Sequence, residues 1–111
     1  MVIIILALKL ALLYPVNQSL GSYFHITCSV QEGSPPLFFE WAINGHKIKS
    51  KPDVNYKIEN YKMFSAFTIE KIEIKDAANY TCIVSNAMES DSQSSLLSIK
   101  GSYHQSIHII L

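Results

Sequence analysis

The sequence predicts an all-β fold, a sandwich of two antiparallel sheets with about seven to eight short strands. Three observations carry this expectation. Apolar residues alternate with polar ones at period two, and no useful helical stripe follows the first segment. Turn residues interrupt the alternation about every eight to twelve positions. Both cysteines, Cys28 and Cys82, fall in phase with the apolar face of their strands.

The elements follow in order. "SYFHITCSV" alternates cleanly, with Phe24, Ile26, Cys28 and Val30 on one face and Tyr23, His25, Thr27 and Ser29 on the other. "EGSPP" ends it, because proline has no ladder donor and glycine tolerates turns. "LFFEWAI" turns Leu37, Phe39 and Trp41 to one face. Asn44-Gly45 is a tight-turn signal leading into a short edge strand around His46 to Ile48. "NYKIEN" reads as a further short strand. "SAFTIEKI" sets Phe67 and Ile69 inward, with Ala66, Thr68 and Glu70 outward. "ANYTCIVSN" sets Ala78, Tyr80, Cys82 and Val84 on one face, and "AMESDS" reads as a polar hairpin. "SSLLSIK" closes the set with Leu97 and Ile99 inward.

The bulk composition narrows the function classes. The 111 residues are one domain's worth, 49% apolar and 16% charged, which is enough to bury a core. Nine basic and nine acidic residues cancel, so no overall field draws in nucleic acid or an anionic membrane. The local run "HKIKSK" reads as a solvated loop or edge strand. Two cysteines cannot complete a structural zinc site alone, and His104 and His108 in the tail have no cysteine beside them. No metal or other cofactor is expected. In an exported chain the two cysteines are expected to form a disulfide.

Residues 1–13, "MVIIILALKLALL", form an apolar segment too short to span a membrane. It is expected to be a signal peptide cut between Ala11 and Gln18, with an apolar first strand as the alternative. The domain is expected over 14–100, and 101–111 as a tail or linker. No transmembrane span is expected.

Cys28, Trp41 on the next strand, and Asp-x-Ala-x-Tyr-x-Cys at Asp76, Ala78, Tyr80 and Cys82 together carry the immunoglobulin-domain spacing. In that arrangement the Cys28–Cys82 disulfide ties the two sheets together and Trp41 packs against it. The Tyr80 hydroxyl bonds back to the backbone at the loop entering its strand. Asp76 opens this corner and is expected to pair with a lysine, Lys57 or Lys62. With "CSVQEGSPPLFFEW", "DAANYTCIVSNAMESDS" and "SLLSIK", the chain resembles an I-set immunoglobulin domain over about Asn17 to Lys100. It is most similar to the repeats of the Dscam-type (Down syndrome cell adhesion molecule) receptors. The resemblance implies an extracellular cell-adhesion or recognition module that binds protein, homophilically or through another cell-surface immunoglobulin protein, with a role in neuronal wiring. Those receptors are long and multidomain, whereas this chain has one such domain and no fibronectin repeat, so receptor-level function is an expectation by analogy. The alternatives are a secreted soluble binding protein and an intracellular structural repeat.

No nucleophile elbow, phosphate-cradling loop or paired metal ligands are present in the sequence, so no enzyme is expected. Asn17-Gln-Ser and Asn79-Tyr-Thr are formal glycosylation sequons, and Asn79 points opposite to Tyr80. For binding, Tyr23, His25, Thr27, Ala66, Thr68 and Glu70 face outward from one sheet, with Tyr61 and Met63 in the adjoining turn. Exposed Tyr, His and Met are expected to form a self-complementary patch there. On that face His25 is a candidate to tune a contact by titrating.

Overall fold

The computed structural model describes residues 7–51 and 54–100. Among the described residues nine strands build two sheets: β1 (Lys9–Leu10), β2 (Val16–Ser19), β3 (Phe24–Glu32), β4 (Phe38–Ile43), β5 (His46–Ile48), β6 (Tyr56–Asn60), β7 (Phe64–Ile69), β8 (Ala78–Ser85) and β9 (Ser90–Lys100). A four-stranded sheet runs β1-β3-β7-β6, and a five-stranded sheet runs β2-β9-β8-β4-β5. A 3-10 turn, Ile74–Asp76, carries the chain between them ahead of β8.

The period-two phase read from the sequence sets which face is buried. Phe24, Ile26 and Cys28 of β3 meet Phe67 and Ile69 of β7 across the sandwich from Trp41, Tyr80, Cys82, Val84 and Leu97. An aromatic cluster fills the centre: Phe67 lies 5.3 Å from Trp41, 5.1 Å from Tyr80 and 5.3 Å from Tyr56, centroid to centroid. These tilted and stacked arrangements suit ring quadrupoles and large buried area. The Asn44-Gly45 turn forms as the sequence predicts. Both residues have positive φ, 50° and 83°, as a two-residue hairpin with the sheet's twist requires.

Residues 7–13 belong to this architecture. Leu8 and Leu10 are buried in the core, although residues 1–13 were expected to stand apart from a domain starting at residue 14. Leu10 pairs with Val30 on the four-stranded sheet, while Val16 to Ser19 run parallel to Leu97 to Lys100 on the other. The chain therefore changes sheets between β1 and β2. Alternate side chains near β9 fasten this crossing. Glu89 accepts from the Leu8 amide, Asp91 Oδ2 from Leu10 N at 2.9 Å, and Gln93 Oε1 from Leu13 N at 3.3 Å. Ser95 Oγ donates to the Tyr14 carbonyl at 2.7 Å. These bonds satisfy backbone groups that have no ladder partner while the chain passes between sheets. β9 starts at Ser90, inside the expected hairpin, because its ladder with β8 runs out to Ser85–Ser90 and Asn86 N donates to the Glu89 carbonyl to close the turn. Polar residues on β9's inner edge have a structural use there. Residues 1–6 and the 101–111 tail, with His104 and His108, lie outside the described residues.

Candidate functional site

The corner that opens β8 is built from local hydrogen bonds. Tyr80 is buried, and its hydroxyl donates to the Asp76 carbonyl at 2.6 Å. The Asp76 carboxylate accepts from Glu73 N at 2.8 Å and from Asn55 Nδ2 at 2.9 and 3.2 Å. The expected lysine partner is thus corrected to Asn55. Lys57 sits on the outward face of β6 and pairs with Glu59 at 3.6 Å. Lys62 follows the far end of β6, beyond the Asn60–Ser65 pairing, while Asn55 directly precedes the end nearest the corner.

Burial pushes the Tyr80 phenol well above its ordinary pKa, and the nearby Asp76 charge adds to the rise. The folded state therefore holds this proton more tightly than the unfolded chain does. Stability from Tyr80 is full below about pH 10 and falls as pH climbs past it, because the unfolded chain loses the proton first. Urea titrations between neutral pH and pH 11 are expected to show a steeper alkaline loss for the wild type than for Tyr80→Phe. Equal slopes would remove Tyr80 as a source of that loss.

Cys28 and Cys82 are fully buried and bonded to each other across the two sheets. Trp41 pairs in register with Cys82. Its indole Nε1 donates to Ser65 Oγ at 2.8 Å, and Ser65 in turn donates to Asn60 Oδ1 at 2.6 Å. Ser65 was not singled out from the sequence. Its parity with Phe67 and Ile69 does place it on the inner face, where a hydroxyl needs a partner.

The expected binding face is the outer surface of β3, β7 and β6, and the structure divides it in two. At one end Tyr23 is 57% exposed and stacks on His25, 6.1 Å between centroids. The His25 ring nitrogens each lie 3.0 Å from a threonine hydroxyl, Nδ1 from Thr68 and Nε2 from Thr27. At the other end Tyr61 stacks on Phe64 at 4.5 Å. Phe64 is exposed and was missed, though its parity with Ala66 and Thr68 points it outward. Between the two ends Ala66 is buried, contrary to expectation. It sits on the central strand between Thr27 and Glu59, whose larger side chains flank its methyl group. Met63 is half-buried, and its carbonyl accepts from Val30 N. Glu70 is exposed and joins Thr68 in an open groove of about 710 Å³ beside Lys57.

Asn17 and Asn79 both lie on the outer face of the five-stranded sheet. Among the described residues no group of three or more His, Cys, Asp or Glu could hold a metal ion. None of the described helices is long and apolar enough to cross a membrane.

Comparison with known proteins agrees with this geometry. Residues 10–99 match the model of the immunoglobulin I-set domain. The chain is 38% identical over 69 residues to the cell adhesion molecule DSCAML1 of Gallus gallus, covering 62% of this chain and 3% of that protein. It is 31% identical over 81 residues to palladin of Mus musculus, covering 73% of this chain and 6% of palladin. An I-band fragment of titin, I67–I69, superposes with a TM-score of 0.74 at 29% identity over 86% of this chain and 32% of the fragment. The chain thus spans a small part of the curated relatives it matches.

Proposed function

The chain belongs to the immunoglobulin I-set family, a family generally without enzymatic activity, and from that premise we propose that it serves as an extracellular recognition module. It binds protein through the outer face of the four-stranded sheet, and the partner is a second copy of the same domain. The Cys28–Cys82 disulfide is the observation that carries the extracellular part, because such bonds persist in oxidising compartments and cytosolic thiols stay reduced. The similarity to DSCAML1, a cell adhesion molecule, points the same way. The two stacked aromatic pairs on one face supply rigid contact area of the kind that anchors self-complementary interfaces.

A structural repeat inside the cell is the second reading, favoured by the palladin and titin similarities. Alkylation in denaturant, on protein taken from its native cells by acid quenching, separates the two, because both sulfurs are buried in the fold. A blocked, unreactive Cys28–Cys82 pair supports the extracellular module, and free thiols sink it. The contact face has its own test. Tyr23→Glu with Tyr61→Glu is expected to abolish self-association in sedimentation experiments, since it sets charges where two copies would meet. Unchanged self-association would remove this face as the contact.

A further inference from the structure

The two sequons, 62 positions apart in the sequence by subtraction of their residue numbers, converge on one surface. Asn17 on β2 pairs with Ser98 of β9, and Asn79 on β8 pairs with Leu96 of β9. Leu96 and Ser98 are consecutive outward positions of the strand between them. Two strand spacings across and two residues along put the asparagines about 12 Å apart. Asn17 is exposed and Asn79 half-exposed. Among the described residues, the hydrogen bonds at Asn79 use its backbone groups, leaving the side-chain amide of each asparagine unengaged. Between them Leu96 is 50% exposed, a large apolar side chain on an otherwise serine-rich strip formed with Ser92, Ser94 and Ser98. The opposite sheet face carries His25, Thr27, Phe64, Thr68, Lys57 and Glu59 outward and holds no sequon.

We propose that Asn17 and Asn79 are paired N-glycan acceptors that shield Leu96 and its half of the five-stranded sheet, leaving the four-stranded sheet as the domain's open protein surface. A glycan is bulky and hydrated, so two of them flanking one leucine cover it without a protein partner. β2 is also an edge strand, and a sugar beside it blocks strand-to-strand pairing with another molecule. The biological use of these acceptors rests on the extracellular reading above, whereas their chemistry can be tested apart from it.

The full chain placed behind a cleavable secretory leader enters the lumen of eukaryotic cells whatever its own first residues do. The wild type is expected to lose two glycan masses on treatment with peptide N-glycosidase. Asn17→Gln and Asn79→Gln are expected to lose one each, and the double variant none. One mass lost from the wild type, or none, overturns the paired site. Shielding is read by limited acetylation. Lys100, outward on β9 two residues past Ser98, is expected to react more slowly in the glycosylated protein than in the double variant. Lys57, on the opposite face, is expected to react at one rate in both. Equal Lys100 rates overturn the shield. Two glycan masses behind the added leader, together with reduced cysteines in the native cells, would support the acceptor chemistry and reject the extracellular reading.

Discussion

Replacing Cys28 and Cys82 together by alanine is expected to lower the unfolding free energy by about 4 kcal/mol. The bond closes a loop across a sequence separation of 54, and its loss returns that loop's freedom to the unfolded chain. Both residues are buried at the centre of the core, so alanine also leaves small voids that add to the loss. Domains of this size hold about 5–15 kcal/mol in total, so the variant falls near the edge of stable folding. Urea unfolding followed by Trp41 fluorescence reads the effect directly, because Trp41 is the chain's one tryptophan. A lower midpoint without reductant is expected, and addition of reductant should bring the wild type toward the variant. A midpoint unmoved by either change would mean that the bond contributes nothing.

Trp41→Ala is expected to cost about 3–5 kcal/mol, by lost burial and a cavity beside Phe67 and Cys82. The milder Trp41→Phe keeps a ring but removes the donor to the Ser65 hydroxyl. A cycle of Trp41→Phe with Ser65→Ala, followed by circular dichroism, isolates that bond. Coupling of about 1 kcal/mol is expected for a buried neutral hydrogen bond. Strictly additive losses would show that the indole stabilises by volume alone.

Strand phase was legible because a sandwich buries one face of each strand, and that demand writes a period-two pattern into the apolar residues. Phe24, Ile26, Cys28, Phe67, Ile69, Tyr80, Cys82, Val84 and Leu97 all lie where alternation sets them. The turn at Asn44-Gly45 was legible for a different reason, since few residues accept positive φ at both positions. What stayed hidden depends on partners distant in sequence. Leu8 and Leu10 read as part of an apolar run, because nothing local shows that side chains about 81 residues later will bond their backbone. Asp91 read as a hairpin residue, and Gln93 fell outside the last strand, because polar inward positions break the alternation that defines a strand. The Asp76 partner was misread for a similar reason. A charge suggests a countercharge, but an amide and a backbone donor meet a carboxylate's needs equally well.

On the candidate face, the sequence placed Tyr23, His25, Thr27, Thr68 and Glu70 on one side. It did not show that His25 bridges two threonines or that Tyr61 has Phe64 as its stacking partner. Those contacts arise from the β3–β7 register and from the turn between β6 and β7, which alternation alone does not specify.

The parallel pairing of β2 with β9 has a mechanical consequence. The chain enters β2 at Val16 and leaves β9 at Lys100, at opposite ends of one four-residue ladder. Tension applied along the polypeptide pulls these two strands in opposite directions along their common axis. The ladder is loaded in shear, so its rungs share the force together and do not open one after another as in a peeled hairpin.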